Sequence, residues 1–170
     1  KLKLLLRKVI RIPDNYKSEK VFYGFLNKYV PMTEEYKNYE EIERFESEAD
    51  LFIAGSDQIW NFKLPNGKDD VFYLKFVKKG KKSSYAASLG MDSLTIEQLE
   101  TLKDKLKHFD HVSLREKSAK EVLEAAGLRD IQVVSDPVYL LSRDEWNSIS
   151  KKPDNMPSEK YILIYAFNRQ

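Results

Sequence analysis

The sequence contains no cysteine, which excludes a disulfide framework, a thiol nucleophile and any cysteine-ligated zinc. A chain without cysteine fits a reducing compartment, and a cytoplasmic location is expected on that ground. Long hydrophobic runs are also missing. None approaches the roughly 20 residues a helix needs to span a bilayer, so no membrane span is expected. The Lys- and Leu-rich start, Lys1 to Lys8, has too short an apolar run for a signal peptide, and no small-residue cleavage site follows it. Charge of one sign is lacking as well: 29 Lys and Arg stand against 27 Asp and Glu, a formal net charge of +2. Without a dominant basic field, nucleic acid is not an expected partner. The pairs Lys78-Lys79 and Lys81-Lys82 read as solvated charges flanking a strand. Of the two histidines, His108 falls near a helix end and His111 at a strand start, and neither has metal-ligand spacing. No metal and no cofactor is expected. The glycines form no GxGxxG or phosphate-loop pattern, and GxSxG and HExxH are absent too.

What is present suits a packed fold. Hydrophobic residues make up 42% of 170 positions and aromatics 12%, enough to bury a sizeable core in one domain with a piece of a second. Val21, Phe22, Phe25, Leu26 and Tyr29 share a helical face over 17–29, ahead of the breaker Pro31. Asn38 precedes a short helix with Glu41 at the capping-box position and Ile42, Phe45 and Ala49 facing inward. Leu51 to Ala54, bounded by Gly55, reads as a strand buried on both faces. Val71 to Phe76 and Ser83 to Ala87 read as strands around a Lys-Gly turn. Thr95 and Gln98 box the start of a helix with Ile96, Leu99, Leu102, Leu106 and Phe109 along one side. Val112 to Leu114 is the next strand. Ala119, Val122, Leu123 and Ala126 form a helical stripe stopped by Gly127. Ile131 to Val134 is a further strand, and Ser142 with Glu145 opens a last helix. A polar, Pro-containing linker is expected over 151–159, and a strand from Tyr161 to Phe167. Strands alternating with helices of this length give an α/β fold with a largely parallel sheet and flanking helices.

In open α/β sheets, ligands bind outside the carboxyl ends of the strands. Gly55-Ser56-Asp57-Gln58, Ser88-Leu89-Gly90, Arg115-Glu116 and Ser135-Asp136-Pro137 each stand directly after a strand. Gly55-Ser56 offers unobstructed backbone N–H groups to an anion or sugar, or else makes a tight turn. Asp57 can hold an acceptor hydroxyl, act as a base, or cap the next segment. Trp60 either stacks on a sugar face or plugs the core. Arg115 can grip a carboxylate or phosphate bidentately, or pair with Glu116 or Asp136. Asp136-Pro137 suits a turn whose carboxylate accepts backbone hydrogen bonds. These residue types point to an anion- or sugar-binding cleft, without specifying a reaction.

The run Ala49-Asp50-Leu51-Phe52-Ile53-Ala54-Gly55-Ser56-Asp57-Gln58-Ile59-Trp60-Asn61 resembles the D-x-h-I-x-G-S-D-Q-h-W-N signature of polysaccharide pyruvyl transferase family proteins. Later blocks follow in the family's order: Tyr73-Leu74-x-Phe76, Ser84 to Gly90, Val112 to Glu116, and Asp136 to Leu141. Phe25 and Thr33 to Tyr36 also fit the segment that precedes the signature. The resemblance implies a GT-B-like pair of Rossmann-like domains facing a cleft. The first would span 1–150 without its opening strand–helix unit, 151–159 would be the linker, and 160–170 would begin a truncated second domain. The chain, which starts without Met and stops behind an apolar run, would then be part of a longer protein.

The activity so implied transfers the pyruvyl group of phosphoenolpyruvate to a sugar diol of a bacterial cell-surface polysaccharide, giving a cyclic ketal and phosphate. Its partners would be phosphoenolpyruvate and a glycan acceptor. The resemblance makes Arg115 the donor contact and Asp57 the residue on the acceptor side, with Gly55, Ser56, Gln58 and Ser88 around them. The family's catalytic His and further basic residues would lie in the absent half, leaving the fragment itself inactive. Two alternatives are a nucleotide-sugar glycosyltransferase of the same two-domain shape and a non-catalytic glycan-binding homologue.

Overall fold

A computed structural model describes residues 12–153 and 156–164. The chain divides into two compact units, one ending at Ile42 and one beginning at Glu43. The first holds helices α1 (Ile12–Tyr29) and α2 (Tyr39–Ile42). On α1, Val21, Phe22, Phe25 and Tyr29 are exposed. The Asn38 side chain accepts the Glu41 N–H at 2.9 Å, and the Glu41 carboxylate accepts the Lys37 N–H at 2.7 Å. That is the expected cap, its return bond shifted by one residue. The helix stops at Ile42, so Phe45 and Ala49 lie beyond it, and Ala49 is exposed.

The second unit carries two two-stranded parallel sheets in place of the one larger sheet expected. Its strands are β1 (Leu51–Ala54), β2 (Lys81–Ser84), β3 (Val112–Leu114) and β4 (Ile131–Val133). β1 pairs in parallel with β2, Leu51 opposite Lys81 and Ala54 opposite Ser84. β3 pairs in parallel with β4, Val112 opposite Ile131 and Leu114 opposite Val133. Helix α3 (Ile96–Leu106) carries the chain from β2 to β3, α4 (Lys117–Ala125) from β3 to β4, and α5 (Arg143–Ile149) follows β4. The mixed α/β class is thus as the sequence predicts.

The seam between the two ladders is made largely by serines. Isolated parallel bridges join Ser83 to His111 and Ala87 to Leu114. Between them the Ser84 hydroxyl donates to the Ser113 carbonyl at 3.0 Å and accepts the Ser113 N–H at 2.9 Å. The Ser113 hydroxyl returns the bond to the Ser84 carbonyl at 2.7 Å and accepts the Ala86 N–H at 3.3 Å. Ala86 has φ +49, so the backbone leaves the extended region there and regular pairing stops. This is why the expected strand 83–87 ends at Ser84. Ser84→Ala would leave the buried Ser113 N–H without its acceptor. It is expected to lower unfolding free energy by about 1–3 kcal/mol, read as a lower denaturant midpoint at unchanged m-value.

Three further expectations change. The segment expected as strand 71–76 forms a 3-10 turn, Asp70–Tyr73, capped by Asp69 accepting the Val71 N–H at 2.9 Å. Tyr73 is buried and donates to the Gly67 carbonyl at 2.8 Å, an anchor that an extended course would forfeit. β1 is covered on one face only: Ala54 is buried, whereas Leu51 and Ile53 are 48% and 59% exposed. Residues 161–164 carry no regular secondary structure, and the rest of the strand expected there lies outside the described residues.

The helices follow their patterns more closely. Thr95 and Gln98 form both bonds of the capping box of α3, and Ser142 and Glu145 both bonds of that of α5. Leu102 and Leu106 of α3 and Leu123 of α4 are buried, each contributing about 1.5–3 kcal/mol on removal from water. Ile96, in the first turn of α3, instead faces solvent. Gly127 ends the stripe of α4 at φ +92, as a C-terminal glycine does.

Candidate functional site

Parallel pairing puts the carboxyl ends of the strands on one side, and the segments beyond them are tied together by backbone bonds. Ser88 N–H donates to Ser56 at 3.3 Å, Arg115 N–H to Ala87 at 3.0 Å, and Val134 N–H to Leu114 at 2.9 Å. The signature loop after β1 is therefore held beside the ends of β2, β3 and β4.

Arg115 is the centre of this edge. Its Nη2 donates to Asp57 and its Nη1 to Asp136, both at 2.8 Å, while Nε reaches Glu116 at 3.4 Å. The pairings with Glu116 and Asp136 both form, and Asp57, 58 residues away in sequence, makes a third. Hydrogen bonding to Asp57 leads the causes that push the guanidinium pKa above its ordinary value. Asp136 is held below the usual carboxylate range, first by the Val138 N–H at 3.0 Å and then by Arg115. It also caps the 3-10 turn Pro137–Leu140, so the turn role read for Asp136-Pro137 is present. The Asp57 side chain is 78% exposed and that of Arg115 27%, so Asp57 is the member of the network most open to an incoming molecule.

Beneath the edge, the Ser88 hydroxyl donates to Glu116 Oε1 and accepts the Gly90 N–H at 3.1 Å. Ser88 is fully buried. Its hydroxyl thus positions Glu116, which in turn holds Arg115 Nε. The second oxygen of Glu116 is buried and has no hydrogen-bond partner among the described residues. Ser56 is partly buried, and the Gly55–Ser56 peptide is cis. A Cβ on Gly55 would stand 2.2 Å from the Tyr85 carbonyl oxygen, so this glycine permits close backbone approach between the segments after β1 and β2. Gln58 accepts from the Asn61 side chain at 2.9 Å, and its carbonyl accepts from the Asn66 side chain at 2.9 Å. Gly90, at φ +55, packs where a Cβ would lie 2.8 Å from the Asn61 and Gln58 side chains.

Trp60 belongs to the core. It is fully buried, stacks on Tyr73 at 5.5 Å and 5°, and donates from its indole N–H to the Phe72 carbonyl at 3.1 Å. Of its two readings, the core plug is the one observed. From the sequence Glu116 is only a partner for Arg115, and neither Asn61 nor Asn66 stands out as a support of the loop. The adjacency of Glu116 to Arg115 at a strand end was the one signal for its role. The asparagine bonds span three and eight residues within the loop and leave no periodic trace.

Among the described residues, no group of three or more His, Cys, Asp or Glu is placed to hold a metal ion, and no helix is long and apolar enough to cross a membrane. No curated protein and no solved structure matches the chain. The family model for polysaccharide pyruvyl transferase matches residues 3–170. With the signature loop, Arg115 and Asp136 gathered at one sheet edge and nearly every residue covered by that match, the chain belongs to the polysaccharide pyruvyl transferase family.

Proposed function

We propose that the protein transfers a pyruvyl group from phosphoenolpyruvate to two hydroxyls of a sugar in a cell-surface polysaccharide, within a GT-B-like two-domain cleft. The single observation that carries the site assignment is the exposed Asp57–Arg115 pair at 2.8 Å. In the reaction the methylene of the enol gains a proton, two acceptor oxygens bond to the central carbon, and phosphate leaves. The two acceptor hydroxyls give up two protons: the balance places one on the new methyl group and the other on the departing phosphate. The chemistry requires a cation for the donor and an oriented hydroxyl for the acceptor.

Asp136 and Glu116 fix two edges of the guanidinium. The donor's carboxylate replaces Asp57 on Arg115 Nη2, one carboxylate exchanging for another. Asp57, released, accepts a hydrogen bond from an acceptor hydroxyl. The exchange couples donor arrival to acceptor orientation, and it suits the greater exposure of Asp57. Ser56 and Gln58 flank the pair, Gly55 sets the loop's approach, and Ser88 steadies Glu116.

The test is calorimetric titration of the full-length protein with phosphoenolpyruvate. Arg115→Ala is expected to weaken binding by about 1.5–3 kcal/mol, the loss of a charged hydrogen bond, or roughly 10- to 150-fold. Unchanged affinity in a folded Arg115→Ala protein would remove the donor from this edge. Absence of binding to the intact protein would favour a nucleotide-sugar donor or a non-catalytic glycan binder.

A further inference from the structure

A second cluster lies towards the other end of β2. Lys82, the second residue of that strand, lines a cavity of about 650 Å³ together with Lys75, Lys105 and His108. The carboxylates facing it are Asp70 and Asp104. Asp70 is already engaged by two ammonium groups, Lys75 at 2.7 Å and Lys105, and Asp104 is engaged by Lys107. The Lys82 ammonium, by contrast, has no hydrogen-bond or ion-pair partner among the described residues; Asp110 acts on it only through space. Burial pushes the Lys82 pKa below that of an ordinary lysine, the signature of a charge whose lost hydration is not fully replaced. The sequence pattern predicts solvated lysine pairs in this stretch; Lys82 is instead partly buried within the strand.

We propose that this cavity is a second ligand site, one that takes a phosphoryl group. Among the described residues three lysines line it and no arginine does, and Lys82 brings an ammonium that is not already held on Asp70. Point-charge lysines suit a compact dianion, whereas a planar carboxylate is best gripped by the guanidinium fork. The volume exceeds that of a bare phosphate and lies in the range of small-molecule sites, leaving room for an organic group attached to the phosphoryl. The site is separate from the Arg115 edge and does not depend on the donor proposed there.

Titrating the full-length protein with inorganic phosphate and with glucose 6-phosphate, by calorimetry and phosphorus NMR, tests this. Saturable binding is expected, at least tenfold weaker in Lys82→Gln, unchanged in Arg115→Ala, and weaker at high NaCl. His108 is exposed, so His108→Glu is a second variant less prone to misfold; it is expected to abolish binding by facing the phosphoryl with a carboxylate. Tighter binding of the sugar phosphate would identify a phosphate monoester as ligand, and equal binding free phosphate. No saturable binding of either probe, wild-type affinity in folded Lys82→Gln and His108→Glu, or a loss confined to Arg115→Ala would each overturn the proposal.

Discussion

Replacing Trp60 with alanine should cost the protein about 3–5 kcal/mol of unfolding free energy, the usual range for removing a large aromatic from a core. The side chain is fully buried, with its ring stacked on Tyr73 and Phe109 meeting it edge-on at 5.7 Å. Truncation therefore opens a cavity beneath the signature loop and removes two aromatic contacts. It also strips the Phe72 carbonyl of the indole N–H that reaches it at 3.1 Å. For a chain of this size each kcal/mol corresponds to about 2–4 °C in melting temperature, so a drop of roughly 10 °C is the expected reading. Trp60→Phe keeps much of the ring volume and loses the N–H bond, and should fall short by only about 1–2 kcal/mol. A Trp60→Ala protein of normal stability that had lost glycan affinity would instead make Trp60 a sugar platform.

The same residue marks the line between what local sequence carries and what the fold imposes. The boxes Thr95–Gln98 and Ser142–Glu145 close within three residues, and both form as read. The α3 stripe was equally legible because a 3.6-residue period states which side is covered, yet Ile96 faces solvent in the first turn. Val71 to Phe76 misled because alternation and aromatics are shared by strands and by tightly anchored turns. What decides there is Tyr73, bonded to Gly67 and stacked on Trp60, and those anchors involve residues outside the segment. Leu51 and Ile53 misled differently. A run of apolar residues predicts two covered faces, and composition alone cannot state that one is exposed.

At the candidate site, the rule that ligands gather at strand ends located the edge, and parallel pairing supplies it. It did not supply the partnerships. Arg115 beside Glu116 is visible in any sequence, but Arg115 to Asp57 closes a separation of 58 residues. Ser84 to Ser113 closes one of 29. Neither spacing has a period that would disclose it. The buried serines also show why the expected end of β2 was too late. Side-chain hydroxyls there satisfy backbone groups that a longer ladder would otherwise have used.

Gly55→Ala should be the most damaging single-methyl addition along the signature loop. The added Cβ would meet the Tyr85 carbonyl oxygen at 2.2 Å, and the next atoms in its path are also Tyr85 backbone. Backbone has no rotamer through which to yield, so the two segments must separate. That movement strains the Tyr85 N–H bond to the Ala54 carbonyl at 2.9 Å and the Ser88 N–H bond to Ser56 at 3.3 Å. Overpacking ordinarily costs about 1–3 kcal/mol, and with no side chain to absorb it, about 3 kcal/mol or more is expected here, read as a lower denaturant midpoint. Displacement of Ser56 carries Asp57 with it. On the transfer proposed above, phosphate release from phosphoenolpyruvate by the full-length protein should therefore fall even at temperatures where Gly55→Ala remains folded, since a misplacement of about 1 Å can cost on the order of 100-fold in rate. Wild-type stability in Gly55→Ala would show that the segments separate at no cost. Lowered stability with undiminished turnover would detach the Gly55 loop from the chemistry, leaving its glycine a requirement of the sheet alone.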